Sequence, residues 1–331
     1  MKNYSPKTAA QQAVWSNVKH GLSRHTSPQM SESKVVSVLT EKAHVSALTM
    51  YSKWILNKYG RHLHKSTPTA ANQYLKELAE TKRQATVSLA RQAINMHVHY
   101  DCQVAYVKST VPTIPQNRAY TPSEILLLRH QANPALSLSV HLVAAAGLRG
   151  MELVSLAPMS ARIVSQREWH VGLFKGREQE VRFSVHGKGG LLREVRFPVH
   201  LTNQLESTLR PNPLLISHRG AHLLSYYDLM GGHAFSCQFG QLSVQTFDFS
   251  FGAHGLRHAF AQRRRDELLW LGFSFIDAIK VLSQELGHFS SANTFAYLRD
   301  QSYDKLHDRK SAKSGRQYYA YSTRVLAPIE Y

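Results

Sequence analysis

The chain has 331 residues, with 40 Lys and Arg against 22 Asp and Glu and a formal charge of +18. That length suggests two domains of roughly 150 residues each, and the charge excess points to a polyanionic partner, nucleic acid ahead of an anionic membrane surface. Two cysteines, Cys102 and Cys237, exclude a disulfide framework, and the lack of a signal-peptide pattern or a long apolar run points to a cytoplasmic protein, nucleoid-associated if its partner is DNA.

Residues 1–33 are polar and basic and read as an arm with at most one short helix. Over 34–110 apolar residues recur at intervals of three and four. Val36, Leu39, Ala43, Leu48, Trp54 and Ile55 define the first such face, and "TAANQYLKELAE" and "QATVSLARQAINMHVHYD" continue the pattern. A bundle of about four helices is expected there, with Lys53, Lys58, Arg61, Lys65, Lys82, Arg83 and Arg91 on its exposed faces. In "HVHYDC" the residues His97, His99 and Cys102 lack a fourth ligand, so no zinc site is expected.

Two prolines mark 111–120 as an extended linker. The second domain spans 121–310. It opens with a capping box, Thr121 to Glu124, with Pro122 in the first helical turn. "LSVHLVAAAGLRGMELVSL" reads as a buried helix, a glycine break and a second helix near Arg149; residues 179–197 read as two strands around the turn "GKGG". Residues 219–253 look loop-rich, helices return at His254, and 311–331 form a polar tail. The fold class is mostly α with a small antiparallel β-sheet (α+β).

The chemistry concentrates in "HGLRHAFAQRRR". His254 and Arg257 are three apart and share a helix face; His258 is the next position round. Arginine does not ligate metals, and a cluster this cationic suits a phosphate. Arg149, after an apolar run, is either a phosphate ligand or half of a buried pair with Glu152. Lys188 in "GKGG", taken alone, reads as an exposed turn lysine, and Lys175 in "FKGRE" competes with it for any role in the site. His258 is equally a core histidine, and His288, in "ELGHFSSANTFAYLRD", would also serve as a helix cap.

Taken together, Arg149 and Glu152 in "GLRGMELVSL", Lys188 in "GKGG", His254, Arg257 and His258 in "HGLRHAF", and His288 in "ELGHF" followed nine residues later by Tyr297 resemble the tyrosine recombinase (phage integrase) family. The resemblance covers roughly 120–300, and the variant "HGLRHAFAQRR…SQELGHF…AYL" also resembles a proteobacterial branch of prophage and mobile-element integrases. It implies a helical, SAM-like core-binding domain at 34–110 and a catalytic domain at 121–310. Tyr297, one of 15 tyrosines, would be the nucleophile, with Tyr303 as fallback, forming a 3′-phosphotyrosyl bond. Arg149, Arg257 and His288 would hold the phosphate and Lys188 would protonate the 5′ oxygen. His254 would help accept the nucleophile's proton, while Glu152 and His258 would support the pocket.

Neither metal, ATP nor another cofactor is implied, and no membrane. The partner is double-stranded DNA carrying a specific recombination site, bound by a homotetramer that passes through a Holliday junction, with a monomer free in solution. Arg263 and Arg264, and Lys53, Lys58 and Arg91 in the first domain, are candidate DNA contacts. Two features depart from the family: Leu191 stands where a second lysine is common, and Arg257 and His288 lie 31 residues apart. The alternatives are a type IB topoisomerase or telomere resolvase on the same fold, and a catalytically silent DNA-binding regulator.

Overall fold

The computed structural model describes residues 4–20, 34–35, 37–98, 103–112, 117–218 and 221–298. The described residues divide into two compact units, those up to 112 with 218 and 221, and those of 117–217 and 222–298.

The first unit is helical. Helix α1 (Pro6–Trp15) packs against α2 (Val38–Tyr59), and α3 (Pro68–Thr81) and α4 (Gln84–His97) complete the bundle. Ala10 and Val14 of α1 are fully buried, and Trp15 donates to Glu41 at 2.8 Å. Residues 6–15 are therefore part of the core rather than of a free arm; 21–33 lie outside the described residues. The inward face of α2 runs through His44, Ala47, Leu48, Tyr51 and Ile55. Leu39, counted on the apolar face from sequence, is 62% exposed. The buried face is centred on His44, Leu48, Tyr51 and Ile55, and Leu39 and Ala43 lie to one side of it. His44 hydrogen-bonds His97 at 2.9 Å, and His97 also meets Asn17 at 3.2 Å. His97 thus belongs to a buried polar contact, and no metal-binding cluster occurs among the described residues.

The second unit opens with α5 (Pro122–Gln131), where both halves of the Thr121–Glu124 capping box form. Helix α6 (Pro134–Ala146) is apolar nearly all round and runs through the core, packing on α5 and on α10 (His254–Trp270). It ends at Gly147, whose φ of 61° is the left-handed conformation glycine adopts at low cost. The five-residue α7 (Gly150–Val154) follows. Strands β1 (Ala157–Pro158), β2 (Val181–His186) and β3 (Leu192–Phe197) form an antiparallel sheet in the order β1-β2-β3, with Val181 opposite Phe197 and His186 opposite Leu192. Next come α8 (Val199–Glu206) and a second, two-stranded sheet of β4 (Leu209–His218) and β5 (Ala221–Tyr227).

The stretch 219–253 is not loop-rich. It holds β5 and the sixteen-residue α9 (Gly232–Phe247), whose lack of charge and scattered glycines hid its period from sequence reading. The long interval from Arg257 to His288 is filled by α10, a turn, and α11 (Phe275–Glu285), with α12 (Ser291–Phe295) beyond.

Gly147 decides how closely α6 approaches α10. A β-carbon there would stand 2.4 Å from Phe260 Cδ1. Gly147→Ala is expected to destabilise the fold by about 2–4 kcal/mol, from left-handed strain plus overpacking. Urea denaturation would measure it, and a midpoint equal to wild type would refute the close packing.

Candidate active site

The pocket is assembled from four segments of the second unit. Arg149 stands at the N-terminus of α7. Its backbone N–H donates to Glu152 Oε2 at 2.8 Å, and its Nη1 donates to Glu152 Oε1 at 2.7 Å. The spacing of three that marked the pair in sequence thus lets the Glu152 carboxylate cap the helix at the Arg149 N–H while it pairs with the Arg149 guanidinium. Glu152 is 1% exposed and is also gripped by Arg193 Nη2 at 2.8 Å, with Arg257 Nη1 at 3.8 Å. Burial alone would push its carboxyl up. Attraction to Arg193, Arg257 and Arg149 overcomes that and holds it at about 2.

Arg257, on the inner face of α10, is fully buried and donates to the Gly147 and Leu286 carbonyls. Burial and the nearby Arg149 lower it to about 10, which leaves it charged at neutral pH. The sequence "ELGH" builds the opposite wall. Gly287 (φ 69°) closes α11 with a Schellman turn, in which His288 N–H donates to Ser283 O and Gly287 N–H to Gln284 O. His288 is thereby placed at the mouth of the two arginines. Its Nε2 lies 2.9 Å from Arg149 Nη2 and 3.3 Å from Arg257 Nη2. Guanidinium groups only donate, so Nε2 accepts and the ring proton sits on Nδ1. Among the described residues Nδ1 has no hydrogen-bond partner.

Tyr297 follows α12 and is 8% exposed. Its Oη lies 2.9 Å from His254 Nε2. Its ring is surrounded by His258 (4.7 Å between centroids), His254 (5.3 Å), His288 (5.4 Å) and the Arg257 guanidinium (5.4 Å). The structure therefore brings together Arg149, Glu152, His254, Arg257, His258, His288 and Tyr297. Lys188 lies apart from this contact network. It is exposed in the 3-10 turn Lys188–Gly190 that joins β2 to β3, where Gly189 and Gly190 take positive φ.

All three site imidazoles are held neutral. Burial is the largest cause in each case. His254 falls to about 4, with Arg257 and Arg149 adding to the effect, and His258 to about 4, with His254 and Arg118 adding. His288 falls to about 3 beside Arg257 and Arg149. Neutral imidazole is favoured in the folded chain, so these groups contribute full stability above the unfolded value of 6.5, and the contribution is lost as pH falls from there toward 4 and 3. The buried His258 and the half-buried His288 are each expected to remove up to about 2 kcal/mol of stability between pH 6.5 and 5, and His254, whose side chain is exposed, less, because solvent screens it. The stabilising share of Glu152 is present above its unfolded value of 4.5 and is lost only from there down to about 2. Urea titrations at pH 7.5 and pH 5 would show the loss; equal stability at both would contradict buried neutral histidines.

Several candidate DNA contacts read differently in three dimensions. Arg264 is corrected: it is 1% exposed and grips Glu285 through Nε at 2.9 Å and Nη2 at 2.8 Å, so its charge is internal. Arg263 donates to Ala144 O at 2.9 Å and covers the Phe260 ring. Lys58 is paired with Glu77, and Arg91 Nε donates to Val104 O at 2.8 Å. Lys53 is exposed.

Sequence reading missed Arg193, which lies on the inward-facing alternate of β3 with Val195 and Phe197. A charged residue in phase with a buried apolar set was the available signal. Arg118, assigned to the linker, was missed as well; it donates to Phe251 O and adds positive potential at His254 and His258.

No protein-family profile and no curated protein sequence matches the chain. Solved structures do. The XerH site-specific recombinase bound to palindromic difH substrate, a post-cleavage complex, matches at a TM-score of 0.52 and 14% identity over 93% of this chain and 95% of that one. A lambda integrase dimer bound to a COC′ core site matches at 0.52 and 14%, over 85% and 96%. A lambda integrase tetramer bound to a Holliday junction matches at 0.50 and 14%, over 87% and 80%. The fold is that of the site-specific DNA recombinases. Within that class it is the tyrosine-recombinase fold, α+β with a small antiparallel sheet, as the sequence motifs suggested.

Proposed function

We propose that the protein is a tyrosine-type site-specific recombinase, an integrase that cuts and rejoins DNA strands through a covalent phosphotyrosyl intermediate. The observation that carries this reading is the 2.9 Å contact between Tyr297 Oη and the neutral His254 Nε2, in a pocket whose Arg149 and Arg257 both direct a donor at one acceptor, His288 Nε2. A non-bridging phosphate oxygen can take that acceptor's place and receive both guanidinium groups. His288 stands beside both guanidinium groups and is the third side chain to hydrogen-bond the phosphate in this reading.

Tyr297 Oη attacks phosphorus and its proton passes to His254 Nε2. The bond from phosphorus to the 5′ oxygen breaks, and that oxygen leaves with the bonding electrons and takes a proton from the Lys188 ammonium. The 3′-phosphotyrosine keeps the bond energy until a 5′-hydroxyl of a second strand reverses the step. Glu152 balances the arginines without touching the substrate, and His258 packs beneath the phenol.

The helical bundle of 34–110, with α1 packed into its core, is the core-binding domain in this reading, with Lys53 among its backbone contacts, and 121–310 is the catalytic domain. Exchange of two duplexes needs four protomers. The likeness to a lambda integrase tetramer on a Holliday junction supports that assembly.

The test is covalent trapping. A nicked duplex built from the DNA flanking the gene should give a denaturant-stable protein–DNA adduct whose peptide map ends on Tyr297. DNA binding with no adduct would favour a silent regulator, and relaxation of supercoiled DNA of any sequence would favour a topoisomerase.

A further inference from the structure

The turn that carries Lys188 could be a free arm that swings over the substrate, but its base is fastened to the pocket at three points. Arg193, five residues along the chain from Lys188, is 1% exposed. It donates from Nη2 to Glu152 Oε2 at 2.8 Å and from Nη1 to the Glu285 carbonyl at 2.7 Å. Gly187, at the other strand end, leaves room for Glu152: a β-carbon there would lie 3.2 Å from Oε1. Gly287, in the turn that aims His288, leaves room for Arg193 itself, since a β-carbon there would lie 2.9 Å from Arg193 Cδ and 3.4 Å from Leu191 Cδ2. Leu191 is buried against this turn, so the position that departs from the family's second lysine is an apolar anchor.

We propose that Arg193 is a positioning residue that docks the lysine hairpin on the pocket, bridging Glu152 and the Glu285 carbonyl so that Lys188 is held ready to protonate the leaving 5′ oxygen. This rests on the reading of Lys188 as proton donor. The bridge has a geometric logic. A guanidinium has donors on divergent nitrogens and reaches two acceptors at once; an ammonium on a flexible stem is a single point of charge. One end of the bridge holds the carboxylate that orients Arg149, and the other holds the carbonyl one residue before the Leu286 carbonyl that takes Arg257. The hairpin base, both phosphate-facing arginines and the His288 turn therefore share one buried framework.

The test separates leaving-group protonation from general damage to the pocket. Nicked duplexes carry either the natural oxygen or sulfur as the 5′ bridging atom at the phosphate where the wild-type adduct maps. A thiolate leaves without a proton, so sulfur removes the need for Lys188. Arg193→Met and Lys188→Ala should both form adduct slowly on the oxygen substrate, on the order of 100-fold below wild type. On sulfur both should recover to within about tenfold of wild type.

Recovery of Lys188→Ala without recovery of Arg193→Met would overturn the proposal and leave the role of Lys188 standing. Recovery of neither would remove the reading of Lys188 and the proposal with it. Unimpaired cleavage by Arg193→Met on oxygen would also overturn the proposal. If Arg193→Met melts below the assay temperature, Arg193→Lys replaces it; it keeps the charge but not the two-ended bridge, and the same slow-on-oxygen, recovered-on-sulfur pattern is expected.

Discussion

Tyr297→Phe is expected to abolish the covalent protein–DNA adduct, a drop of at least about 10³-fold, while leaving DNA binding intact. The substitution removes one oxygen and keeps the ring. The ring's neighbours, His254, His258, His288 and the Arg257 guanidinium, all lie 4.7–5.4 Å away by centroid and remain packed. The stability change should be small, about 1 kcal/mol for the lost hydrogen bond to His254. Adduct formation is read on a denaturing gel with labelled nicked duplex, and binding on a native gel. Tyr303→Phe is the companion variant and should trap DNA as wild type does; residue 303 lies outside the described residues. An adduct formed by Tyr297→Phe and lost by Tyr303→Phe would move the nucleophile.

Glu152→Gln should be the most damaging single change to the fold of the pocket. Glu152 is the counter-charge to three guanidinium groups, two of them, Arg193 and Arg257, fully buried. Glutamine keeps the shape but removes the charge, and an uncompensated buried ion typically costs about 3–5 kcal/mol. Urea denaturation at pH 7.5 should show a loss of that order. A loss below about 1 kcal/mol would mean that another anion neutralises the cluster. The same variant should fail to cleave even where it folds, because Arg149 loses the carboxylate that fixes its side chain.

Much of the site was legible because its motifs are local. Arg149 and Glu152 are three apart and cap one short helix. His254, Arg257 and His258 lie on one helix face. Leu286, Gly287 and His288 encode a helix-ending turn, and such short-range geometry follows from residue type and spacing. The apolar stretch 134–146, the capping box at Thr121 and the hairpin around Gly189 were legible for the same reason.

Long-range effects were not. Arg264 sits in a run of three arginines that sequence alone assigns to solvent and DNA. Its burial depends on Glu285, 21 residues away and one helix over. Arg193 shares the inward phase of Val195 and Phe197, but the partner its burial requires, Glu152, is 41 residues distant and invisible to local pattern. Helix α9 carries no charge to contrast with its apolar face, so its periodicity was faint.

The sequence by itself determined which residue types are available for phosphate chemistry and in what order the local motifs that present them occur, since caps, turns and helix faces depend on neighbours within one or two turns. Only the tertiary structure decided which cations are matched internally and which are left for a substrate. The reason is electrostatic: a guanidinium's role is set by the nearest carboxylate and by the water it has lost, and both are properties of the packed chain. Arg264 and Arg193 are bound to Glu285 and Glu152 across the fold, while Arg149 and Arg257 keep a donor aimed at His288 beside Tyr297.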